Sequence, residues 1–481
     1  MTDRRDFIRK TLAGSAAALL LNRLSSGDAL ARAVAPTYTA DADPWARVPE
    51  ILKRIKAPVF PKRDFAVTKY GAKGDGQFDN TEAFRRAIAD CNKAGGGRVV
   101  VPAGMFLTGP IHLKSNVNLH VSEGATVKFV QDPKAYLPLV FTRWEGMELM
   151  NYSPFIYAFE QQNIAVTGKG TLDGNSDDDH WWPWKGQERH GWKKGTPNQA
   201  KARKALEELT ERGAPVAERV FGEGHYLRPQ FVQPYRCTNV LIEGVTVINS
   251  PMWELNPVLC TNVTVRGVQI KTHGPNNDGC DPESCKDVLI EDCTFDTGDD
   301  CIAVKSGRNA DGRRLNVPSE NIVIRRCQMK DGHGGVTIGS EISGGVRYLF
   351  AEDCTMDSPN LDHALRFKNN AVRGGLLENI FFRNITVGQV AHAVLTVDFN
   401  YEEGAKGKFT PVVRNLSVQN LKSGKSRHAL DVQGFEQAPV YDLRLKDCTF
   451  ENVERPSVVK NVSGLKLENV KVNGSVVDKL G

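Results

Sequence analysis

Between residues 239 and 295 one nine-residue pattern occurs three times: Asn239-Val240-Leu241-Ile242-Glu243-Gly244-Val245-Thr246-Val247, Asn262-Val263-Thr264-Val265-Arg266-Gly267-Val268-Gln269-Ile270 and Asp287-Val288-Leu289-Ile290-Glu291-Asp292-Cys293-Thr294-Phe295. Their starts lie 23 and 25 residues apart, an interval at which one supersecondary unit stacks on the next. Within each unit the apolar side chains alternate, pause at a two-residue bend and alternate again, so Val288 and Ile290 share an inward direction with Cys293 and Phe295. The Val, Ile, Thr and Phe content opposes a helical repeat. The interval is also shorter than a propeller blade of roughly 40 residues or more, which leaves a β-sandwich with unusually regular strands as the bland competitor. Further units begin near Asn321, Arg347, Asn379, Asn415 and Asp442. The expected architecture is all-β, a single-stranded right-handed parallel β-helix in which each coil buries its inward side chains only against its neighbours.

Cysteines support that stacking. Cys293, Cys327, Cys354 and Cys448 occupy the same slot of the repeat and are expected inside the solenoid as small apolar side chains. Cys280, Cys285 and Cys301 lie near an acidic cluster, where a bridge between one pair is an open possibility. No Cys-x-x-Cys element pairs with histidines at zinc spacing, so no structural metal is expected.

Before the repeat the chain reads differently. Arg4-Arg5-Asp6-Phe7-Ile8-Arg9 precedes an apolar stretch from Leu12 to Leu21, with small residues at Ala31 and Ala33. That order reads as an export signal over residues 1–33, and the paired arginines resemble the twin-arginine type. Residues 34–66 form an extension and 67–481 the solenoid, with a periplasmic or extracellular destination in a bacterium. No other run of 18 or more apolar residues occurs, which argues against a membrane span. The formal charge of +5, from 62 basic and 57 acidic residues mixed along the chain, lacks the basic tail of a nucleic-acid arm.

Two segments interrupt the pattern. From Thr81 to Asn92, Phe84, Ala87, Ile88 and Cys91 fall at helical spacing, as expected of a cap over the first coil. Residues 175–229 carry Trp181, Trp182, Trp184 and Trp192 and then a charged helix near Ala200 to Glu211, read as an insertion bordering a cleft. Exposed tryptophans there would stack on sugar rings; the alternative is a cluster that packs the loop.

The densest chemical signal is Asn276-Asn277-Asp278-Gly279-Cys280-Asp281 followed by Gly298-Asp299-Asp300-Cys301. Asp278 and Asp299 are 21 residues apart, close to one coil, so the two are expected one above the other at the edge of a wall. Crowded carboxylates raise at least one pKa. Inverting glycosidic cleavage uses a protonated acid and a water-activating carboxylate roughly 6.5–9.5 Å apart, and neighbouring coils are a candidate source of that separation. A structural Asn/Asp ladder or a calcium site would explain the same residues without catalysis. Gly332-His333-Gly334 follows one coil later and Arg366-Phe367-Lys368 the coil after that. Arg366 and Lys368, two apart, should share a strand face, and two cations beside a cleft suit a sugar carboxylate.

These motifs, in this order, resemble the polygalacturonases, family 28 of the glycoside hydrolases, with similarity running from Tyr70-Gly71-Ala72-Lys73-Gly74-Asp75-Gly76 through most of the solenoid. The Asn-x-Asp, paired-aspartate, Gly-His-Gly and Arg-Ile-Lys motifs of the family match Asn276 to Asp278, Asp299-Asp300, Gly332 to Gly334 and Arg366 to Lys368, with Phe367 in place of isoleucine. The resemblance implies a pectin-lyase-like solenoid that hydrolyses α-1,4-galacturonosidic linkages with inversion and without cofactor or metal. By it Asp299 is the general acid, Asp278 and Asp300 activate water, and His333 tunes the catalytic group. Arg366 and Lys368 would grip a galacturonate carboxylate, Asn276 and Lys305 would assist binding, and Asp281 would chiefly support its loop. The expected partner is an acidic plant polysaccharide. A rhamnogalacturonan hydrolase of the same family, a calcium-dependent pectate lyase and a non-catalytic carbohydrate-binding solenoid are the alternatives.

Overall fold

The computed structural model describes residues 43–480, so the expected export signal of residues 1–33 lies outside the described residues. Two units are distinguished. The described part of the first is the single 3-10 turn Pro44–Ala46; everything that follows concerns residues 47–480.

This second unit is a right-handed parallel β-helix. Strands of successive coils pair in parallel and in register: Thr238–Glu243 on Thr261–Arg266, that strand on Lys286–Glu291, and that one on Ser319–Arg325. A separate six-stranded parallel sheet carries Ile302–Val304, Gly332–Ile338, Leu361–Lys368, Ala393–Asp398, His428–Gln433 and Val458–Lys460. Register turns the inward positions into columns. Val245, Val268, Cys293, Cys327, Cys354, Ile385, Leu421, Cys448 and Val470 stack on one line, all buried, so the four cysteines do share one slot. On another line Leu255, Cys280, Ile302, Val336, Leu365, Leu395 and Leu430 stack behind the site. Each such aliphatic side chain contributes about 1.5–3 kcal/mol at most when fully buried, and only while the next coil covers it.

All ten cysteines are unbridged and buried. The bridge considered among Cys280, Cys285 and Cys301 does not form because the three stand on different lines. Cys280 stacks between Leu255 and Ile302, Cys285 continues the line of Cys237 and Cys260, and the Cys301 thiol lies against Thr297 and Asp331 O.

An asparagine ladder exists, but away from the acids. Asn163 donates to Asn116, Asn239 to Asn163 and Asn262 to Asn239, at 3.0, 2.8 and 2.6 Å. Each has φ between 53° and 64°, the left-handed region that asparagine tolerates, and the ladder fixes the corner of these four coils. Outside that corner lies the helix Arg47–Arg54, its Arg54 2.7 Å from Asp287 and its Arg47 stacked 3.7 Å over Tyr348. The strand Asp64–Ala66 pairs with Gly97–Val101, so the sheet begins within the stretch read as extension. Thr81–Lys93 is a helix with Phe84, Ala87, Ile88 and Cys91 buried against the first coil.

Three excursions from the coils wall the site. Val140–Trp144 and Met147–Asn151 form an antiparallel hairpin. Residues 174–231 form the insertion, whose helix Ala200–Glu211 buries Ala202, Leu206 and Thr210, four apart, with Ala202 and Leu206 packing in a small core with Trp144, Met147, Phe221 and Trp253. Residues 399–411 form the third. The tryptophans act as packing: Trp181 is buried against Tyr136 and Phe155, Trp184 packs on Trp181 and Tyr226, and Trp182 donates to Ser250 O. Trp181 is buried and Trp182, Trp184 and Trp192 are half-buried, so the cluster around Trp181 follows the packing alternative. Trp181, Trp182 and Trp184 tie a long loop to the coils.

Candidate active site

Asp278 precedes Cys280 by two residues and Asp300 precedes Ile302 by two. The Cys280–Ile302 bridge and the hydrogen bond from Gly279 N to Asp300 O (2.9 Å) therefore set Asp300, rather than Asp299, on the coil position next to Asp278. Asp299 joins from the preceding residue, and one oxygen of each of the three carboxylates lies within 4.8 Å of the others. That is shorter than the separation anticipated for inversion. The cause is geometric: side chains on adjacent parallel coils inherit the strand spacing of about 4.8 Å, so they stand along one wall instead of across a gap.

Each aspartate has its own cation. Asp299 Oδ1 is 3.0 Å from His333 Nδ1. Asp300 receives hydrogen bonds from Lys368 Nζ and, at 3.0 Å, from Thr337 Oγ1, with Arg366 Nη1 at 3.6 Å. Asp278 lies 3.4 Å from Lys305 Nζ, which also has Glu341 at 3.2 Å, Asp281 at 3.9 Å and the Trp253 ring at 4.3 Å. A divalent ion at the three aspartates would compete with these built-in positive groups. The strand Gly332–Ile338 needs its glycines: a Cβ on Gly334 would fall 2.2 Å from Thr337 Oγ1 and 2.9 Å from Asp300 Oδ1. Phe367 is buried in the core, while Arg366 and Lys368 on either side of it face the acids.

The protonation pattern follows from these contacts. Burial pushes the Asp278 carboxyl well above the usual range, aided by the charge of Asp299 and opposed by Lys305. Burial would raise Asp299 too, but the hydrogen bond and charge of His333, with Lys368 and Lys305 behind, hold it well below that range. Its hydrogen bond to Asp299 raises His333 to about 9. The substrate-free site thus keeps protons on Asp278 and His333 and a negative charge on Asp299. The protons belong to the coupled group rather than to one residue. For kcat/KM we expect an acidic limb above the ordinary aspartate value of about 3.9, as Asp278 must ionise, and an alkaline limb near 9 as His333 loses its proton. Undiminished activity as the pH is raised through 9 excludes the His333–Asp299 pair as the proton store.

A cavity of about 180 Å³ opens over the acids, lined by Asn276, Asp278, Asp299, Lys305 and Lys368 among the residues singled out by sequence. His333 touches Asp299 and Arg366 touches Asp300, neither His333 nor Arg366 lining it. Asn276 presents its side-chain oxygen to Arg228 Nη2 at 2.8 Å. Asp281 does not reach the cavity; it is sealed beneath it, fully buried, with burial and Asp278 pushing its carboxyl well above the usual range. Its Oδ2 lies 3.9 Å from Lys305 Nζ, on the side away from the cavity. Glu145, Lys185, Arg203, Trp253, Ser340, Glu341, Tyr401 and Glu402 complete the lining. They come from the excursions and from coil ends outside the repeat, where no periodicity marks them.

A parallel solenoid whose cleft sets protonated and ionised carboxyl groups side by side, each against a fixed cation, defines a polysaccharide-cleaving enzyme of the acid–base kind. The family model for glycosyl hydrolases family 28 matches residues 222–475, and a model described as rhamnogalacturonase A/epimerase, pectate lyase-like, matches residues 65–126. The structure is similar to a hyperthermoactive exopolygalacturonase from Thermotoga maritima, with 50% sequence identity and a TM-score of 0.88 over 90% of this chain and 97% of that one. Among curated relatives, a probable polygalacturonase of Vitis vinifera is 28% identical over 80% of this chain and 73% of its own length. An exo-poly-alpha-D-galacturonosidase of Dickeya chrysanthemi is 26% identical over 84% and 70%. The chain belongs to family 28 of the glycoside hydrolases.

Proposed function

We propose that the protein hydrolyses α-1,4-galacturonosidic linkages of polygalacturonan, releasing units from a chain end by single displacement with inversion. The observation that carries the hydrolytic reading is the trio Asp278, Asp299 and Asp300, each held by its own protein cation beneath a small cavity, while inversion rests on the family resemblance. In this mechanism His333 passes its proton across the 3.0 Å hydrogen bond to Asp299, which delivers it to the leaving oxygen. Asp300, fixed by Lys368 and Thr337, and Asp278, once ionised, draw a proton from the attacking water. Lys368 is already committed to Asp300, so Arg366, 3.6 Å from that carboxylate, is the cation of the pair that takes a sugar carboxylate. Terminal attack is supported by the hairpin, insertion and loop residues that wall the cavity and by the exo-acting names of two relatives. The rhamnogalacturonase-like match covers none of the site residues. Export before action is part of the proposal and rests on Arg4-Arg5 and the apolar stretch after them.

Purified protein is to be incubated with galacturonan and with rhamnogalacturonan and the new anomeric centre followed by NMR. The expected record is free galacturonate from the first time point, formed as the β anomer, with galacturonan the better substrate and chelator without effect. A random ladder of early products rejects terminal attack, and α anomer rejects inversion. An unsaturated, ultraviolet-absorbing product lost in chelator identifies a lyase.

A further inference from the structure

Two cations on the insertion side of the cavity carry no carboxylate partner among the described residues. Arg228, fully buried, spends its guanidinium on Pro251 O, Pro275 O and Asn276 Oδ1 at 2.8, 2.6 and 2.8 Å. Lys185 ends the turn Trp182–Lys185 and lines the cavity with Asn276 and Asp299. No carboxylate oxygen lies within 4.0 Å of its ammonium among the described residues, and its neighbour Glu145 already faces Arg203 at 2.7 Å and Arg308 at 3.6 Å. An unpaired ammonium held partly out of water is costly unless something anionic arrives.

The turn is also rigid. Trp181 is buried beside it, Trp182 donates to Ser250 O at 2.8 Å, and Gln199 N donates to Trp184 O at 2.8 Å. Lys185 is therefore presented from a fixed stretch of backbone, so no loop has to be ordered on binding. Arg366 Nη1 stands 3.6 Å from Asp300, while Lys185 lines the cavity together with Asp299. Two cationic groups at this acidic site suit two consecutive uronate units about one linkage.

We propose that Lys185 is a specificity-determining residue that binds the carboxylate of the chain-terminal uronate at the walled end of the cavity. This rests on the galacturonan reading above, and it places the anionic selectivity of that end in the insertion rather than in the coils.

The test compares wild type, Lys185→Met and Lys185→Arg on trigalacturonate and on trigalacturonates in which one or the other terminal carboxyl has been reduced to the neutral alcohol. For Lys185→Met on trigalacturonate, KM should rise about 10- to 100-fold, the range of a hydrogen bond to a charged group, with kcat nearly unchanged. Wild type should discriminate by a similar factor against one of the two neutral-ended substrates. Lys185→Met should lose that discrimination and Lys185→Arg keep most of it. Should Lys185→Met fail to fold, Lys185→Gln carries the same comparison. Wild type that hydrolyses galacturonan while the neutral variant keeps the native KM and discrimination overturns the assignment to Lys185 alone. Wild type that leaves galacturonan intact overturns the functional reading and this inference with it.

Discussion

Asp299→Asn should lower kcat by about 10²- to 10⁴-fold, the range in which a positioned acid accelerates proton transfer, while KM changes little. The amide keeps the size and the hydrogen-bonding reach of the carboxyl but has no proton to deliver to a leaving oxygen. Its neighbour provides a second reading of the same variant. The elevation of His333 to about 9 is caused first by the hydrogen bond to Asp299 and then by its charge. Replacing the carboxylate should return the imidazole toward its ordinary value of about 6.5. NMR titration of the His333 ring should record that fall, and with it the alkaline limb of any residual activity should move below 9. Asp299→Asn protein that turns over within tenfold of wild type removes Asp299 from the chemistry. A large loss of kcat with His333 still titrating near 9 would instead mean that another carboxylate sustains the imidazolium.

How far such statements were legible beforehand depends on which part of the molecule they concern. The coils were legible because Val288, Ile290, Cys293 and Phe295 alternate about a bend, and the register that stacks Val268, Cys293, Cys327 and Cys354 repeats it coil after coil. The aspartates and Arg366 were legible because successive coils bring such positions together, although coil spacing sets their oxygens nearer than a gap for inversion would. The insertion was readable as a helix and a tryptophan cluster bordering a cleft, but the job of its indoles was not. Nothing in Trp181, Trp182 and Trp184 tells a sugar platform from a packed core, since either role uses the same indole face. Charge partnership was the least legible. The resemblance placed Lys305 among binding residues, whereas its carboxylate partners come from positions 278, 281 and 341. The approach of Glu341 depends on how the chain turns after Gly332–Ile338, which no local pattern encodes.

That enclosure makes Lys305 the position where sequence and structure suggest opposite outcomes. Lys305 is 2% exposed, and the charges of Asp281, Glu341 and Asp278 raise its ammonium well above the ordinary lysine value although burial opposes them. Lys305→Met keeps the length and the packing on Trp253 but strands buried carboxylates, and removing one partner of such a set costs about 3–5 kcal/mol. The fall in thermal midpoint should be largest at neutral pH. In wild type the raised lysine pKa stabilises the fold at every pH below the unfolded value of about 10.4, so the ammonium itself introduces no change between pH 4 and 8. In the variant the uncompensated acids bind protons more readily folded than unfolded, so the penalty should shrink as the pH is lowered and Asp278 and Asp281, already raised by burial, become neutral. The expected result is a deficit in thermal midpoint that narrows toward acid, accompanied by loss of kcat because Asp278 no longer ionises at working pH. A Lys305→Met protein with a native melting curve at pH 7 and only an elevated KM would show that the ammonium serves the substrate and not the acids around it.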